Sequence, residues 1–253
     1  MIKGEFIESE DFPTSDDPLQ FQVSFINEYF LRARATPEQM DLLWTLGWRH
    51  FGNYFFRYSA LHHWGGFRRV MPLRVDLSKF APSRSQRRVE GRNRDLRVVI
   101  RDTFIDEIKE GLFYRHRERF KENIPDSIYK FLSEEPAVAP CRNREICIYD
   151  GDRLLAASFL DIGRQSTSAV YAMFEPSESK RSLGVFTMLE AIRHSRELGC
   201  KYYYQGYAYR EPSFYDYKKN FAGTEYYDWR EGWKPFTKED GVTERQRDGE
   251  TEG

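Results

Sequence analysis

The sequence predicts an α+β fold, in which a mixed and mostly antiparallel sheet is flanked by helices. Three observations predict it. The dipeptide Asp150-Gly151 lies between two apolar runs, which is a hairpin signal. An amphipathic helix over 182–198 lies between two strand-like runs. Hydrophobic residues are 40% and aromatic residues 16% of the 253, so a substantial core can form.

The first half of the chain opens its first helix with a capping box, Thr36-Pro37-Glu38-Gln39, which has proline at the first helical position. This helix is expected to extend to about Leu46 and to bury Met40 and Trp44. The other elements expected in this half are strands at 51–58, 71–77 and 97–100, a helix over 103–121, and a short helix after Pro125.

The second half has a clearer order of elements, and Gly199 is expected to end its long helix. The expected elements are strands at 146–149, 154–160 and 169–174, the helix over 182–198, a strand at 201–207, a short helix at 213–219, and a strand at 225–229. This order resembles the core of GNAT-type acyltransferases. The resemblance implies a GNAT-like core with an N-terminal α/β region packed on it.

Pro136 and Pro140 interrupt the chain between the two halves, which predicts a boundary there. The expected divisions are a flexible acidic N-terminus (1–20), an N-terminal region that holds an arginine-rich block (21–138), a GNAT-like C-terminal region (139–236), and a disordered tail (237–253).

The net charge of -1 conceals an uneven distribution of charge. Residues 84–101 contain seven arginines and only two acids, Glu90 and Asp95. Such a block is suited to phosphate, but a solvated face balanced by nearby acids explains it equally well. Composition alone leaves these alternatives even.

Several classes of protein are excluded by composition. No run approaches eighteen apolar residues and no leader peptide opens the chain, which predicts a cytoplasmic protein without a membrane partner. The cysteines, Cys141, Cys147 and Cys200, are odd in number and irregularly spaced. We therefore expect reduced and mostly buried thiols, with neither a disulfide framework nor a metal site.

The stretch 174–187 predicts an anion site. A strand is expected to end at Pro176, and a helix to start near Ser182 after a polar loop that carries Arg181. Unpaired N–H groups and the helix dipole favour anions at such a helix start. The same layout holds the pyrophosphate of coenzyme A in GNAT-type enzymes, and a nucleic-acid phosphate could occupy it equally well.

Several blocks, in order, resemble the aminoacyl-tRNA–protein transferases, which comprise arginyltransferase and its bacterial leucyltransferase relative. The blocks are Phe80–Arg88, Arg92–Leu96, Leu160-Asp161, Ser168–Tyr171, Phe174–Pro176, Arg181–Gly184, Tyr203–Tyr207, and Tyr217-Lys218 with Phe221. The resemblance covers about residues 30–233. The family moves an amino acid from aminoacyl-tRNA to the free α-amine of a protein whose first residue is acidic.

The resemblance implies two partners, aminoacyl-tRNA and the N-terminus of an acceptor protein or peptide, and no cofactor. The tRNA ester is already activated, so the enzyme has mainly to align amine and ester and to stabilise the oxyanion. An α-amine has a pKa of about 8, so a weak base, water or a backbone carbonyl can take its proton. No serine or cysteine nucleophile is required.

Candidate site residues follow from these blocks. The candidates for catalysis are Asp161, Glu175 and Tyr207. The candidates for binding tRNA or acceptor are Ser83, Arg84, Ser85, Gln86, Arg87, Arg88, Arg92, Tyr171, Arg181, Ser182, Gly184, Tyr204, Gln205, Tyr217 and Lys218. Each has a structural alternative: Ser85 as a helix cap, the tyrosines as core, the carboxylates as turn or cap residues, and Lys218 as a solvated lysine.

The chain departs from the family between 57 and 74, where relatives usually carry cysteines that can hold a metal or an iron–sulfur centre. No cysteine lies there, so we expect no such cluster, and His50, His62 and His63 are expected to be ordinary histidines. Gln205 stands where relatives commonly carry leucine, so the donor or the acceptor can differ from the usual ones.

Three alternatives stay open at this level. One is tRNA-dependent tailoring of a peptide or a small molecule. Another is an acyl-CoA-dependent GNAT enzyme, although Phe186 occupies the small position that a pyrophosphate loop requires. A third is a tRNA-binding relative that has lost activity together with its cysteines.

Overall fold

A computed structural model describes residues 25–63, 66–121, 124–237 and 239–241. The helices are α1 (Pro37–Thr45), α2 (Arg84–Arg92), α3 (Glu107–Arg117) and α4 (Leu183–Glu197), and 3₁₀ helices span Ile128–Lys130, Pro176–Arg181, Phe214–Asn220 and Glu239–Gly241. The strands are β1 (Asn27–Leu31), β2 (Arg49–Phe51), β3 (Tyr54–Tyr58), β4 (Ala60–His63), β5 (Gly66–Asp76), β6 (Arg97–Asp102), β7 (Asn143–Asp150), β8 (Arg153–Ile162), β9 (Ser166–Phe174), β10 (Tyr202–Tyr209), β11 (Thr224–Asp228) and β12 (Gly232–Pro235).

A large sheet organises the described residues, with strands in the order β12-β11-β5-β10-β9-β8-β7-β6 and β4 added against β5. Neighbouring strands are antiparallel except for β9 and β10, which are parallel. The expected α+β class with a mostly antiparallel sheet is therefore confirmed. Strands from both sides of Pro136 enter this sheet, because β5 pairs with β10 and β11 while β6 pairs with β7.

The parallel strands β9 and β10 separate after a short paired segment. In the described part of the chain, β9 and β10 pair over only three positions, Ser166–Ser168 against Tyr202–Tyr204. Directly after that segment β9 has one extra residue against β8, and β10 has one extra residue, Gln205, against β5. Such bulges bend strands and increase their twist. We call the space between 169–174 and 206–209 the splay cleft.

Helix α4 packs its apolar face on the sheet beside this cleft, and Leu183, Phe186 and Leu189 are among its buried residues. It ends at Gly199, which has a φ of +72° as the sequence predicts. Helix α1 starts with the predicted capping box, in which Thr36 and Gln39 each accept from the other's backbone N–H.

A smaller sheet, in the order β1-β3-β2, lies with α1 over the part of the large sheet where the cleft begins. Met40 and Trp44 of α1, Phe55 of β3, Cys141 and Tyr204 share one buried cluster. This contact fixes β2 beside the paired ends of β9 and β10, which places the side chains of β2 within reach of the splay cleft.

Some expected elements differ from those observed. The helix expected over 103–121 starts only at Glu107, because Asp106 caps it. Helix α2 is capped by Ser83, so the alternative of a cap at Ser85 is wrong. The short helices expected after Pro125 and at 213–219 are 3₁₀ helices. Residues 1–20 and 242–253 lie outside the described residues. None of the helices in the described part of the chain could span a membrane.

Candidate active site

Arg49 of β2 reaches into the start of the splay cleft. Its guanidinium donates to the Ser168 hydroxyl at 2.5 Å and to the carbonyl of Ala169. Burial lowers the pKa of Arg49, although the group stays cationic at any physiological pH. Both acceptors lie where β9 leaves β10, so this arginine holds the apex of the cleft.

Lys218 approaches the same place from the 3₁₀ helix Phe214–Asn220. Its ammonium donates to the Tyr207 carbonyl at 3.2 Å. Burial, and to a smaller extent the charge of Arg49, lower the pKa of Lys218 to about 7. At neutral pH this amine is therefore divided between its charged and neutral forms.

Gly206 separates these two basic groups. Its φ is +92°, and a Cβ added there would lie 3.4 Å from Arg49 Nη2 and 3.5 Å from Lys218 Nζ. Neither Arg49 nor Lys218 forms an ion pair with a carboxylate among the residues described. Two basic side chains thus converge on one backbone position, and neither is ion-paired there, although the charge of Asp161 acts on Arg49. Such an arrangement favours an anion.

Tyrosines enclose this pair. The Tyr207 hydroxyl donates to the Gly47 carbonyl at 2.8 Å, and its ring meets the Tyr58 ring edge-on with centroids 5.3 Å apart. Burial raises the pKa of Tyr207 and raises that of Tyr217 to about 12. The hydroxyl of Tyr207 is therefore neutral and already committed to a backbone acceptor.

The outer part of the cleft is aromatic. The Tyr171 ring stacks on Phe131 with centroids 4.0 Å apart, and its buried hydroxyl has no hydrogen-bond partner in the described part of the chain. The Arg119 guanidinium lies 4.3 Å from the centre of the Phe174 ring and 5.7 Å from that of Phe214. Arg119 thus bridges the end of β9 and the start of the Lys218 helix.

The two candidate carboxylates lie outside this anion site. Asp161 is buried and contacts His50 at 2.6 Å and Asn143 at 2.8 Å. Glu175 forms ion pairs with Arg115 at 2.8 Å and with Arg153 at 3.7 Å. Burial would raise the pKa of Glu175, but the hydrogen bond and charge of Arg115 outweigh it and lower that pKa. Both carboxylates are therefore held by partners within the protein.

The predicted anion loop has its arginine neutralised. Arg181 donates to both oxygens of Asp95, at 3.1 and 3.0 Å, and lies 3.5 Å from Glu178. The hydrogen bonds that Arg181 donates to Asp95 raise the pKa of Arg181. Ser182 adopts a φ of +55° at the start of α4, and a Cβ on Gly184 would lie 3.2 Å from the Phe174 ring. Gly184 thus allows α4 to pack closely on β9.

The arginine-rich block forms an exposed surface on α2. Ser83 and Gln86 form its capping box, Ser85 bonds to Ser83, and Gln86 Nε2 also donates to the Asn220 carbonyl at 3.3 Å. That last contact joins the start of α2 to the end of the Lys218 helix. The exposed arginines here are Arg84, Arg87, Arg88, Arg92 and Arg94.

Tyr204 and Gln205 are buried beside β5. The Tyr204 hydroxyl lies 3.2 Å from the Thr45 hydroxyl and accepts from Arg74 at 3.3 Å. Gln205 donates to Thr224 at 3.4 Å, and its amide oxygen has no partner among the described residues. Of the candidates from the sequence, the structure therefore gathers Tyr171, Tyr207, Tyr217 and Lys218 around the splay cleft and leaves the others outside it.

The sequence did not identify Arg49 as a site residue, because no motif nearby in the chain includes it. Its acceptors, Ser168 and Ala169, lie 119 and 120 residues away. The sequence indicated Arg119 only as one member of a run of basic residues. The segment 57–74, where the family's metal ligands would stand, contains no cysteine and does not fit such a centre.

Comparison with known proteins gives consistent matches. Residues 108–228 match the family model for the C terminus of arginine-tRNA-protein transferase, and residues 19–88 match the model for its N terminus. An aspartate/glutamate leucyltransferase of Stenotrophomonas maltophilia K279a is 31% identical over 198 residues, which are 75% of this chain and 77% of the relative. One from Leptospira interrogans is 29% identical over 204 residues, 78% of this chain and 77% of the relative. Among solved structures, FemX aligns with a TM-score of 0.47 and 12% identity over 74% of this chain and 65% of FemX.

Proposed function

The chain belongs to the arginine-tRNA-protein transferase family, and we propose that it transfers an amino acid from aminoacyl-tRNA to the α-amine of a polypeptide that begins with aspartate or glutamate. The named relatives are aspartate/glutamate leucyltransferases, so leucine is the first donor to test. The observation that carries the proposal is the un-neutralised pair Arg49 and Lys218 at the apex of the splay cleft.

The acidic side chain of the acceptor is the anion that we assign to this pair. A side-chain carboxylate is small enough for a site enclosed by tyrosines, and Arg49 has N–H groups beyond the two that bond to β9. Arg49 already bonds to β9 and Lys218 to β10, so a carboxylate between them would be centred in the cleft. The α-amine of the same residue would then point along the cleft toward its aromatic outer part.

The splay cleft is proposed to act as a GNAT-type acyl-transfer site. The amine nitrogen attacks the ester carbonyl, the new C–N bond forms, and the ester C–O bond to the terminal ribose breaks. The amine proton is lost to water or a backbone carbonyl, and the ribose hydroxyl regains a proton. Because burial raises the pKa of Tyr171, its unpartnered hydroxyl stays protonated and can donate to the developing oxyanion.

The donor tRNA is proposed to lie along α2. Exposed arginines there can neutralise phosphates, and the Gln86–Asn220 contact connects the helix with the element that carries Lys218. The single-stranded end of the tRNA would reach the cleft past Phe174, Phe214 and Arg119, whose aromatic and cationic surfaces suit base stacking.

An acyl-CoA thioester fits this geometry less well. Asp95 and Glu178 neutralise Arg181, and the backbone of Gly184 faces the Phe174 ring. Phe186 is buried in the core, so the start of α4 is built for packing. These contacts disfavour a pyrophosphate at this loop.

The test offers radiolabelled leucyl-, arginyl- and other aminoacyl-tRNAs to peptides that begin with Asp, Glu, Asn or Gln. We expect label to appear in the Asp and Glu peptides and much less in their amides. Equal transfer to the amides would refute the acidic acceptor. Uptake from acetyl-CoA, with none from any charged tRNA, would refute the donor.

A further inference from the structure

Behind the cleft, three potential metal ligands from distant parts of the chain meet. They are His50 of β2, Cys141 just before β7, and Asp161 of β8, whose donor atoms all lie within 4.8 Å of one another. Between 2% and 4% of the surface of each is exposed. We propose that this trio binds a thiophilic divalent cation of the Zn²⁺ class, independently of the transfer reaction.

The contacts of His50 aim one ring nitrogen at the other members of the trio. Its Nδ1 lies 2.9 Å from the Gly52 carbonyl, which can only accept, so Nδ1 is the nitrogen that donates. Its Nε2 lies 2.6 Å from Asp161 Oδ2, so the nitrogen left for a metal ion directly faces the carboxylate.

The surroundings match those of metal ligands. A ligating histidine commonly donates its other N–H to a backbone carbonyl, as His50 does to Gly52. The second oxygen of Asp161 accepts from Asn143 at 2.8 Å, which orients the carboxylate. Nitrogen, thiolate and carboxylate donors form a three-ligand zinc set that leaves a fourth position for water.

The spacing of the three donors suits a small ion after a limited adjustment, because all of them lie within 4.8 Å of one another. Tetrahedral ligands at about 2.0 Å from the ion stand roughly 3.3 Å apart, so the His50–Asp161 contact must open by about 0.7 Å.

Such an ion would join three elements. It would link β2, the segment before β7, and β8. The ion would lie directly behind Arg49, the residue that precedes His50 in β2. None of the three proposed ligands lies within residues 57–74. This centre therefore differs from the cysteine cluster that the family resemblance implies.

Cobalt(II) titration of the metal-free full-length chain tests the proposal. We expect one bound ion per chain, tetrahedral visible bands, and a thiolate-to-cobalt charge-transfer band. The band should disappear in Cys141→Ser and persist in Cys200→Ser, whose half-buried thiol belongs to no such group of ligands among the described residues. Asn143→Ala should keep the band but weaken cobalt binding by about tenfold or more.

The other two cysteines provide a test that does not depend on Cys141→Ser. The charge-transfer band should persist in Cys147→Ser and in Cys200→Ser, because neither thiol belongs to the trio. A missing charge-transfer band, or a band that survives in Cys141→Ser, would overturn the proposal. If Cys141→Ser fails to fold by circular dichroism, the other two variants decide: a band kept in both supports the site, and a band lost in either folded variant refutes it.

Discussion

Replacement of Lys218 by methionine should specifically remove the preference for acidic acceptors. The measured quantity is the ratio of kcat/KM for a peptide that begins with Glu to that for the same peptide beginning with Gln. Ionisation of the α-amine and all donor steps affect both peptides equally, so they cancel in this ratio. What remains is the interaction of Arg49 and Lys218 with one carboxylate.

The expected loss follows from the geometry of the pair. Two unit charges about 4 Å apart in surroundings of effective dielectric constant near 20 interact by roughly 4 kcal/mol. Lys218 is half-buried and only partly charged at neutral pH, and Arg49 stays in place in the variant. We therefore expect a loss of about 2 to 3 kcal/mol, or about 30- to 150-fold in the ratio.

The pH dependence has a definite sign. The pKa of Lys218 in the free protein is about 7, so its charge is present below that pH and is lost as the pH rises through it. A bound carboxylate favours the charged form and raises that pKa. The Glu/Gln ratio of the unaltered chain should thus be highest below pH 7 and fall above it, while that of Lys218→Met should not change with pH.

Lys219→Met is the matched control. Lys219 follows Lys218 on the same 3₁₀ helix, but its ammonium lies 2.8 Å from Asp216, so its charge is already neutralised. The ratio should survive in this variant. If Lys218→Met slowed the Glu and Gln peptides equally, Lys218 would be acting on the amine or the ester. A ratio that does not respond to pH in the unaltered chain would also contradict the assignment.

Four other perturbations have expected outcomes. Replacing Arg87 and Arg88 together by alanine should weaken tRNA binding and lower the slope of log K against log salt by about two; an unchanged slope would remove them from the interface. Arg181→Ala should lower stability by at most about 1 kcal/mol and leave that slope unaltered, because acids neutralise this arginine; a reduced slope would return it to the tRNA surface. Gly163→Ala should cost about 2 to 3 kcal/mol in thermal unfolding, since its Cβ would lie within 3 Å of three other atoms. Gly91→Ala in an open part of α2 should be stabilising by about 0.5 to 1 kcal/mol; similar melting temperatures for both would contradict this packing.

Local signals account for the elements that sequence reasoning found. The capping box at Thr36, the hairpin at Gly151 and the cap at Gly199 each depend on residues only a few positions apart. The sequence did not predict the strands β1, β4 and β12, which are five residues or shorter. They obtain their structure from pairing with β3, β5 and β11. Short strands of this kind acquire their conformation from partners that a local pattern does not reveal.

The site was less accessible to prediction for the same reason. Lys218 and Tyr171 belong to blocks that a family resemblance could mark, whereas Arg49 acquires its role only when β2 is placed against β9. His50 and Asp161 are 111 residues apart, so their short contact depends on the same placement. Spacing along the chain predicted neither contact, because both are consequences of how the small sheet packs on the large one.

The basic residues of this chain differ in whether an acid neutralises their charge, and this difference matters more than their number. Arg181 and Lys219 each have an acidic partner, and they stabilise the fold at little cost. Arg49 and Lys218 have none among the described residues, and burial penalises the charge of both. A folded protein gains nothing from holding two desolvated cations side by side, because an apolar pair would pack there more favourably. The presence of both beside Gly206 is therefore best explained by an anionic ligand, whose binding offsets the cost of desolvating the two cations.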